Sequence, residues 1–435
     1  MVSTSLCRTA VCLAAFCFTV CAALSGAQPQ TAFEVGAAKR IITPDPLLPV
    51  TGGMGTPSPV TSKQGELTVR ALAVRSGGET VAIVSVDLIG FPSVLGDRAR
   101  AQVPRLAPER ILIGATHTHS APDCYGFPDG KGGHTGSLEY MKFVTDQIAS
   151  AVNEALDRMR PAEARIASGE AKGKIAYNYY APDLYDRRAG VMQVRSLDGR
   201  PIATLVNYAI HPEVLGSGQG ILSPDLVGPL CDRIEASAGG IAIFMNGAQG
   251  GMVTADNRNL DRPPRDALRA YWPDSRTWAE CERIGRLLAD ESLRIIGQAA
   301  WQMSPTVKNH SIMVRFPVDN GVMWQVVQLS PLKYPLRADR TIEVRVNLVD
   351  LGNAQILTIP GEALPNIGFY LKRKMRGEHN FLFGLTNDAF GYILTKVDFN
   401  SFPRYQYISR VSLGEMTGEI YIRAALELID EAGKK

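Results

Sequence analysis

Five short apolar runs, each stopping abruptly at a polar or glycine-bearing turn, limit what this chain can fold into. Val81–Val86 (VAIVSV) stops at Asp87, and Ile111–Ala115 (ILIGA) runs into Thr116-His117-Thr118-His119. Ala203–Ile210 (ATLVNYAI) leads into His211-Pro212, Ile241–Met245 (IAIFM) opens on Asn246–Gly251 (NGAQGG), and Gln355–Pro360 (QILTIP) precedes Gly361-Glu362. Runs this short read as buried strands rather than helices. Helical patterns lie between them. Leu138, Met141, Val144, Ile148, Val152, Leu156 and Met159 recur mostly at three- and four-residue steps from a start near Ser137, and Pro161 stops the run. Thr277-Trp278-Ala279-Glu280 fits a capping box, with Cys281, Ile284, Leu288 and Ile295 as the apolar stripe behind it. From Thr306 to Pro360 the chain reads as β-rich, with Ile342, Val344, Val346 and Leu348 alternating as a half-buried strand does, and a last amphipathic helix runs from about Thr417 to Ala432. The alternation predicts an α/β fold, a single large domain of mixed β-sheets covered by helices.

The first residues have a separate purpose. Arg8 is the only charge before Glu34, Thr9–Leu24 is almost wholly apolar, and Ser25-Gly26-Ala27 supplies the small residues a signal peptidase reads. The expectation is a signal peptide over residues 1–27 and an exported chain over 28–435, secreted or periplasmic. The apolar run is shorter than the roughly 20 residues a membrane helix needs. Cleavage removes Cys7, Cys12, Cys17 and Cys21. Cys124, Cys231 and Cys281 remain, too few for a disulfide framework, and at least one of them lacks an intrachain partner. Cys281, on its helix stripe, is expected in the core.

Charge excludes one class of partner. The formal net charge is +3, without the concentrated basic patch of a nucleic-acid binder. The densest basic run, Lys372, Arg373, Lys374 and Arg376, reads as a solvated helix face.

The chemistry collects at strand ends. Of six histidines, His117, His119 and His211 closely follow apolar runs. Residues i and i+2 of an extended segment point to one side, so His117 and His119 project together. Imidazole is the commonest metal ligand, and a His-x-His pair with a distant third His makes a reasonable metal set. Glu362 adds a carboxylate of the kind that accompanies nitrogen on Zn²⁺; read alone it is a helix-start acid. Asp87 reads equally as a ligand, as a group orienting a ligand histidine, or as a turn residue. The Asn246–Gly251 turn is either an oxyanion-holding loop of free amides or a tight turn without a ligand.

These segments, in order, resemble the neutral/alkaline non-lysosomal ceramidase family through its N-terminal catalytic domain. The shared motifs are Gly36–Pro44 (GAAKRIITP), Val84–Leu88 (VSVDL), Gly114–Pro122 (GATHTHSAP), Asn207–Pro212 (NYAIHP), Asn246–Gly251, Pro360–Glu362 and Gly391-Tyr392. The resemblance implies a catalytic Zn²⁺ held by His117, His211, Glu362 and Tyr392, with His119 in the pocket as a hydrogen-bonding or proton-transfer group. Tyr405 resembles a family tyrosine near metal and substrate, and at this level of matching it is interchangeable with Tyr392. The implied activity is hydrolysis of an N-acyl amide by metal-activated water, on a small-molecule or lipid substrate that allows peripheral membrane contact. No counterpart of the family's C-terminal immunoglobulin-like domain is expected before Lys435.

Two departures bear on substrate. Where the family carries Gly-Asp-x-Ser-Pro, this chain reads Gly250-Gly251-Met252-Val253-Thr254, without the serine. The arginine expected near Tyr177–Tyr180 (YNYY) is missing from that stretch. The alternatives are therefore a zinc hydrolase of esters or non-sphingolipid amides, and a non-catalytic exported binding protein on the same scaffold.

Overall fold

The computed structural model describes residues 1–2, 32–264 and 272–434. Apart from its first two residues, the expected signal peptide lies outside the described residues. All five apolar runs are strands: Glu79–Val86, Ile111–Ala115, Pro201–Tyr208, Ile241–Asn246 and Ala354–Thr358. Four of them belong to an eight-stranded sheet. Its order is Ile241–Asn246, Pro201–Tyr208, Arg188–Ser196, Arg160–Glu170, Glu34–Ile41, Thr68–Ser76, Glu79–Val86, Ile111–Ala115. The two outermost pairs are parallel and the interior pairs antiparallel. The sheet curls until its two ends approach each other, and the Ser85 hydroxyl donates to the Phe244 carbonyl at 2.6 Å.

Alternation along the strands splits side chains between two cores. Val191, Val206 and Phe244 face the helices Val227–Ala238 and Trp278–Ile296, while Met192, Leu205 and Ile243 face a second sheet. That sheet runs Val307–Pro317, Thr341–Leu351, Ala354–Thr358, His379–Phe383, with its last pair parallel. Its outer face is covered by Pro365–Lys374 and Thr417–Ala432. The helix Leu138–Asp157 buries the predicted stripe of Met141, Val144, Ile148, Val152 and Leu156 against the first sheet, and Ser137 caps it by accepting from the Tyr140 amide. The layers are helix, sheet, sheet, helix, so the α/β expectation of mixed sheets covered by helices holds. No helix among the described residues is long and apolar enough to cross a membrane.

Three local expectations need correction. The stretch from Thr306 to Pro360 is not continuously β: Gly321–Leu329 is a helix, started by Asn320, whose side-chain oxygen accepts from the Val322 amide at 2.9 Å. The capping box is half formed. Thr277 accepts from the Glu280 amide, but the Glu280 carboxylate turns to Arg283 at 2.6 Å. The basic run is also not wholly solvated. Lys372 is largely shielded from solvent and meets Asp186 at 2.8 Å, and Arg188 binds both oxygens of the same carboxylate at 2.8 and 2.9 Å. Cys124, Cys231 and Cys281 are all buried free thiols.

The Asp186 cluster yields a stability prediction. Burial opposes ionisation of Asp186, but Lys372 and Arg188 outweigh it and hold the carboxyl down at about 2, against 3.8 ordinarily. A depressed carboxylate contributes stability above its unfolded pKa and loses it as the pH falls through the folded one. Asp186→Asn leaves Lys372 largely shielded from solvent without its counter-charge and is expected to cost about 3 kcal/mol at neutral pH. Urea unfolding should show the gap between parent and variant narrowing by about 2 kcal/mol as the pH falls from about 4 to about 2. A gap that does not change over that range would contradict the ion-pair account.

Candidate metal centre

Parallel strands deliver their side chains at carboxyl ends, where an open sheet leaves a crevice. Three such ends meet here. His117 follows Ile111–Ala115, His211 follows Pro201–Tyr208, and Glu362 follows Ala354–Thr358 of the second sheet. Asn246 fastens the His117 and His211 ends together. Its side-chain nitrogen donates to the carbonyls of Thr116 (3.0 Å) and Ile210 (2.7 Å), and its oxygen accepts from the amides of Ile210 (3.2 Å) and Gly247 (2.9 Å). The His119 amide adds a tie to the Pro212 carbonyl at 3.1 Å.

The imidazoles are oriented by backbone. His117 adopts φ 76°, a conformation unusual outside glycine. Its amide donates to the Leu88 carbonyl at 2.9 Å and its Nδ1 to the Ile89 carbonyl. Nδ1 of His211 donates to the Val253 carbonyl at 2.8 Å. A carbonyl only accepts, so Nδ1 carries the hydrogen in both rings and a neutral ring points its Nε2 lone pair inward. Those two Nε2 atoms lie 3.5 Å (His117) and 3.1 Å (His211) from one oxygen of Glu362. His119 presents a buried Nε2 without a hydrogen-bond partner. The ligating atoms of the three histidines lie within 4.8 Å of one another.

Three lone-pair donors and a carboxylate gathered in a buried space repel one another unless a cation sits among them. Among protein groups that cation is a proton. Burial depresses His211, but its hydrogen bond with Glu362 and the charges of Glu213 and Glu362 push it up to about 9. Burial opposes ionisation of Glu362 too, yet His117 and His211 hold it well below the usual carboxylate range. Burial, with the neighbouring charges of His117 and His211, pushes His119 well below the ordinary imidazole value, so it stays neutral. The donor set and the unpartnered His119 nitrogen fit a divalent metal of the kind nitrogen and carboxylate ligands hold.

Tyr392 stands in register with Glu362 in a short parallel pair. It is buried, and burial with the charge of Glu362 raises its phenol well above 10. Its hydroxyl lies 3.4 Å from Met252 Sδ. His117, His119, Glu362 and Tyr392 all line one cavity. Away from them its wall is mostly apolar, including Phe127, Met323, Val326, Val327, Ile342 and Leu413, with the buried acid Asp388 among the lining residues. Tyr125 and Phe127 bring the loop after the histidine motif to this wall, and Asp123 pins that loop through the amides of Tyr125 (2.7 Å) and Gly126 (3.1 Å).

Several residues lie elsewhere than the sequence suggested. Tyr405 sits on a short turn, 5.3 Å ring to ring from Tyr180 and packed on the cluster that contains Tyr392. Tyr407, two residues on, is the tyrosine of that segment that lines the cavity. Asp87 is neither ligand nor orienting group for the histidines: it accepts from the amide and hydroxyl of Thr68 at 2.8 and 2.7 Å. In the glycine turn the amides of Gly247 and Gly250 are already taken, by Asn246 Oδ1 and the Ala363 carbonyl, both at 2.9 Å. The turn thus works by close backbone approach. A Cβ at Gly250 would lie 2.2 Å from the Glu362 carbonyl oxygen.

Two acids were not legible as site residues. Glu213 lies 3.6 Å from His119 Nδ1, and an acid two positions after a ligand-type histidine was the available signal. Asp225, fully buried at φ 54°, accepts from the amides of Leu215 (2.9 Å) and Leu226 (2.8 Å). It thereby fixes the loop that carries Glu213.

A curled mixed sheet, a second sheet packed against it, and a histidine–carboxylate cluster at their joined strand ends define an α/β scaffold with a metal-ligand type of donor set. The chain has the neutral ceramidase fold. It superimposes on the crystal structure of neutral ceramidase from Pseudomonas aeruginosa with a TM-score of 0.71 at 16% identity, over 92% of this chain and 75% of that one. A ceramidase complexed with C2 gives 0.72, also at 16% identity, over 93% and 76%. No family model matches the sequence. No curated protein matches it either. The resemblance read from the motifs therefore holds at the level of the fold.

Proposed function

We propose that this chain is an exported, zinc-dependent amide hydrolase of the ceramidase family, cleaving an N-acyl amide into a carboxylate and an amine. The supporting observation is the convergence of His117, His211 and Glu362, with both ring Nδ1 atoms anchored on carbonyls so that three acceptors face one point. In this reading His117, His211, Glu362 and Tyr392 hold the ion, residues 1–27 direct export, and residues 28–435 form the catalytic domain. A bound zinc ion supplies Lewis-acid polarisation of the scissile carbonyl and an activated water near neutral pH.

The chain's own groups do the rest. The apolar cavity takes the acyl chain and excludes water from it. His119, neutral and half-buried at the rim, holds or passes a proton at Nε2, the atom left without a protein partner. Glu213 steadies its Nδ1 side. No serine is needed: Met252 stands beside Tyr392 in the glycine turn, and a water-based route uses no side-chain nucleophile.

Metal analysis and assay of the purified chain test the proposal together. About one zinc per chain is expected, with turnover of N-acyl amides that a chelator abolishes and zinc restores. Zinc binding without turnover of any amide or ester would favour a binding protein on this scaffold. Esters cleaved while every amide is spared would move the reaction to ester hydrolysis.

A further inference from the structure

A second chamber adjoins the metal centre opposite in character to the apolar cavity. Tyr177, Glu213, Thr254, Asn257, Asp274 and Arg276 are among its lining residues. The two chambers meet at the proposed reacting point. Glu213 reaches His119 Nδ1 at 3.6 Å, and Met252, which also lines the polar chamber, touches the Tyr392 hydroxyl at 3.4 Å. His119 and Tyr392 are themselves walls of the apolar cavity. A substrate centred between them puts its acyl chain on one side and its amine portion on the other.

The walls of the second chamber limit what that portion is. Burying a long alkyl chain against Glu213, Asp274 and Arg276 would strip water from charged groups and return no hydrogen bonds. Among the described residues, the charge balance there, two carboxylates and one guanidinium, disfavours a carboxylate ligand. Arg276 is held by Asp274 at 3.2 Å and by the Glu213 carbonyl at 3.4 Å. Both side chains remain partly open to solvent, and the pair offers donor and acceptor atoms suited to hydroxyl groups.

We infer that the chamber bounded by Glu213, Asp274 and Arg276 binds a compact, hydroxyl-bearing amine portion, so that the substrate is a single-chain N-acyl amino alcohol rather than a two-chain ceramide. This rests on the amide-hydrolase reading above and deepens it.

A panel of N-dodecanoyl amides of ethanolamine, glycine and sphingosine tests it, with turnover and calorimetric binding measured on the zinc-loaded protein. The ethanolamide is expected to exceed the other two in kcat/KM by about 10- to 100-fold. Asp274→Lys, at a part-exposed position, should keep its zinc and shift the ethanolamide-to-glycine ratio at least about ten-fold toward the glycine amide. Equal or better turnover of the sphingosine amide overturns the inference and leaves the hydrolase reading standing. A ratio unmoved by Asp274→Lys overturns it as well. If no amide is cleaved, the hydrolase reading falls, and the calorimetric order of the three compounds decides the chamber's preference without it.

Discussion

Replacing His211 by alanine is expected to empty the centre of metal and to lower kcat/KM by about 10³-fold or more. The side chain is fully buried, its Nδ1 is spent on the Val253 carbonyl, and its Nε2 faces Glu362 at 3.1 Å. No rotation of a neighbour replaces it, because His117 is fixed at φ 76° by its bonds to Leu88 and Ile89. Loss of the ring also leaves the buried Glu362 carboxylate with one partner fewer. His119→Ala is the informative contrast. Its Nε2 has no protein partner, and in the proposed reading it moves a proton without being needed to hold the ion. That variant should keep its zinc and lose about 10²–10⁴-fold in turnover. Elemental analysis alongside kcat/KM separates the two. Full zinc content and near-parent activity in His211→Ala would sink the assignment of the centre. Zinc lost from His119→Ala would make His119 a ligand.

Much of this centre was legible because strand ends are written locally. An apolar run of five to eight residues followed by a histidine or an acid announces both the strand and where its chemistry emerges, and His117, His211 and Glu362 were found that way. The helix Leu138–Asp157 and its Ser137 cap were equally local. What escaped depends on contacts remote in sequence. Asn246 reads as one more turn residue until its four hydrogen bonds are seen to join the segments carrying His117 and His211. Lys372 reads as solvated until Asp186, far away along the chain, arrives beside it. Tyr407 was missed for a subtler reason. Two tyrosines two residues apart straddle a change from a tight turn to a helix at Gln406, which sends one to the aromatic cluster and the other to the cavity.

The glycine turn shows how strongly backbone approach constrains this centre, and it yields the second large expected effect. The Gly250 amide donates to the Ala363 carbonyl at 2.9 Å, which draws the turn against the segment bearing Glu362. An added Cβ would stand 2.2 Å from the Glu362 carbonyl oxygen and 2.7 Å from the Ala363 carbonyl carbon. Both are backbone atoms, so no side-chain rotation relieves the contact, and one of the two segments must shift. Gly250→Ala is therefore expected to cost upwards of about 3 kcal/mol. It should also displace Glu362 from the histidines, so zinc falls even in the fraction that remains folded. Gly321→Ala is the matched control. Nothing lies within 4 Å of its added methyl, and it sits at the first position of the helix Gly321–Leu329. It should leave zinc unchanged and stability unchanged or slightly raised, within about 1 kcal/mol. Thermal unfolding and zinc content of the two variants decide the matter. If Gly250→Ala matched Gly321→Ala in both, the close approach of turn and ligand strand would not be what holds Glu362 in place.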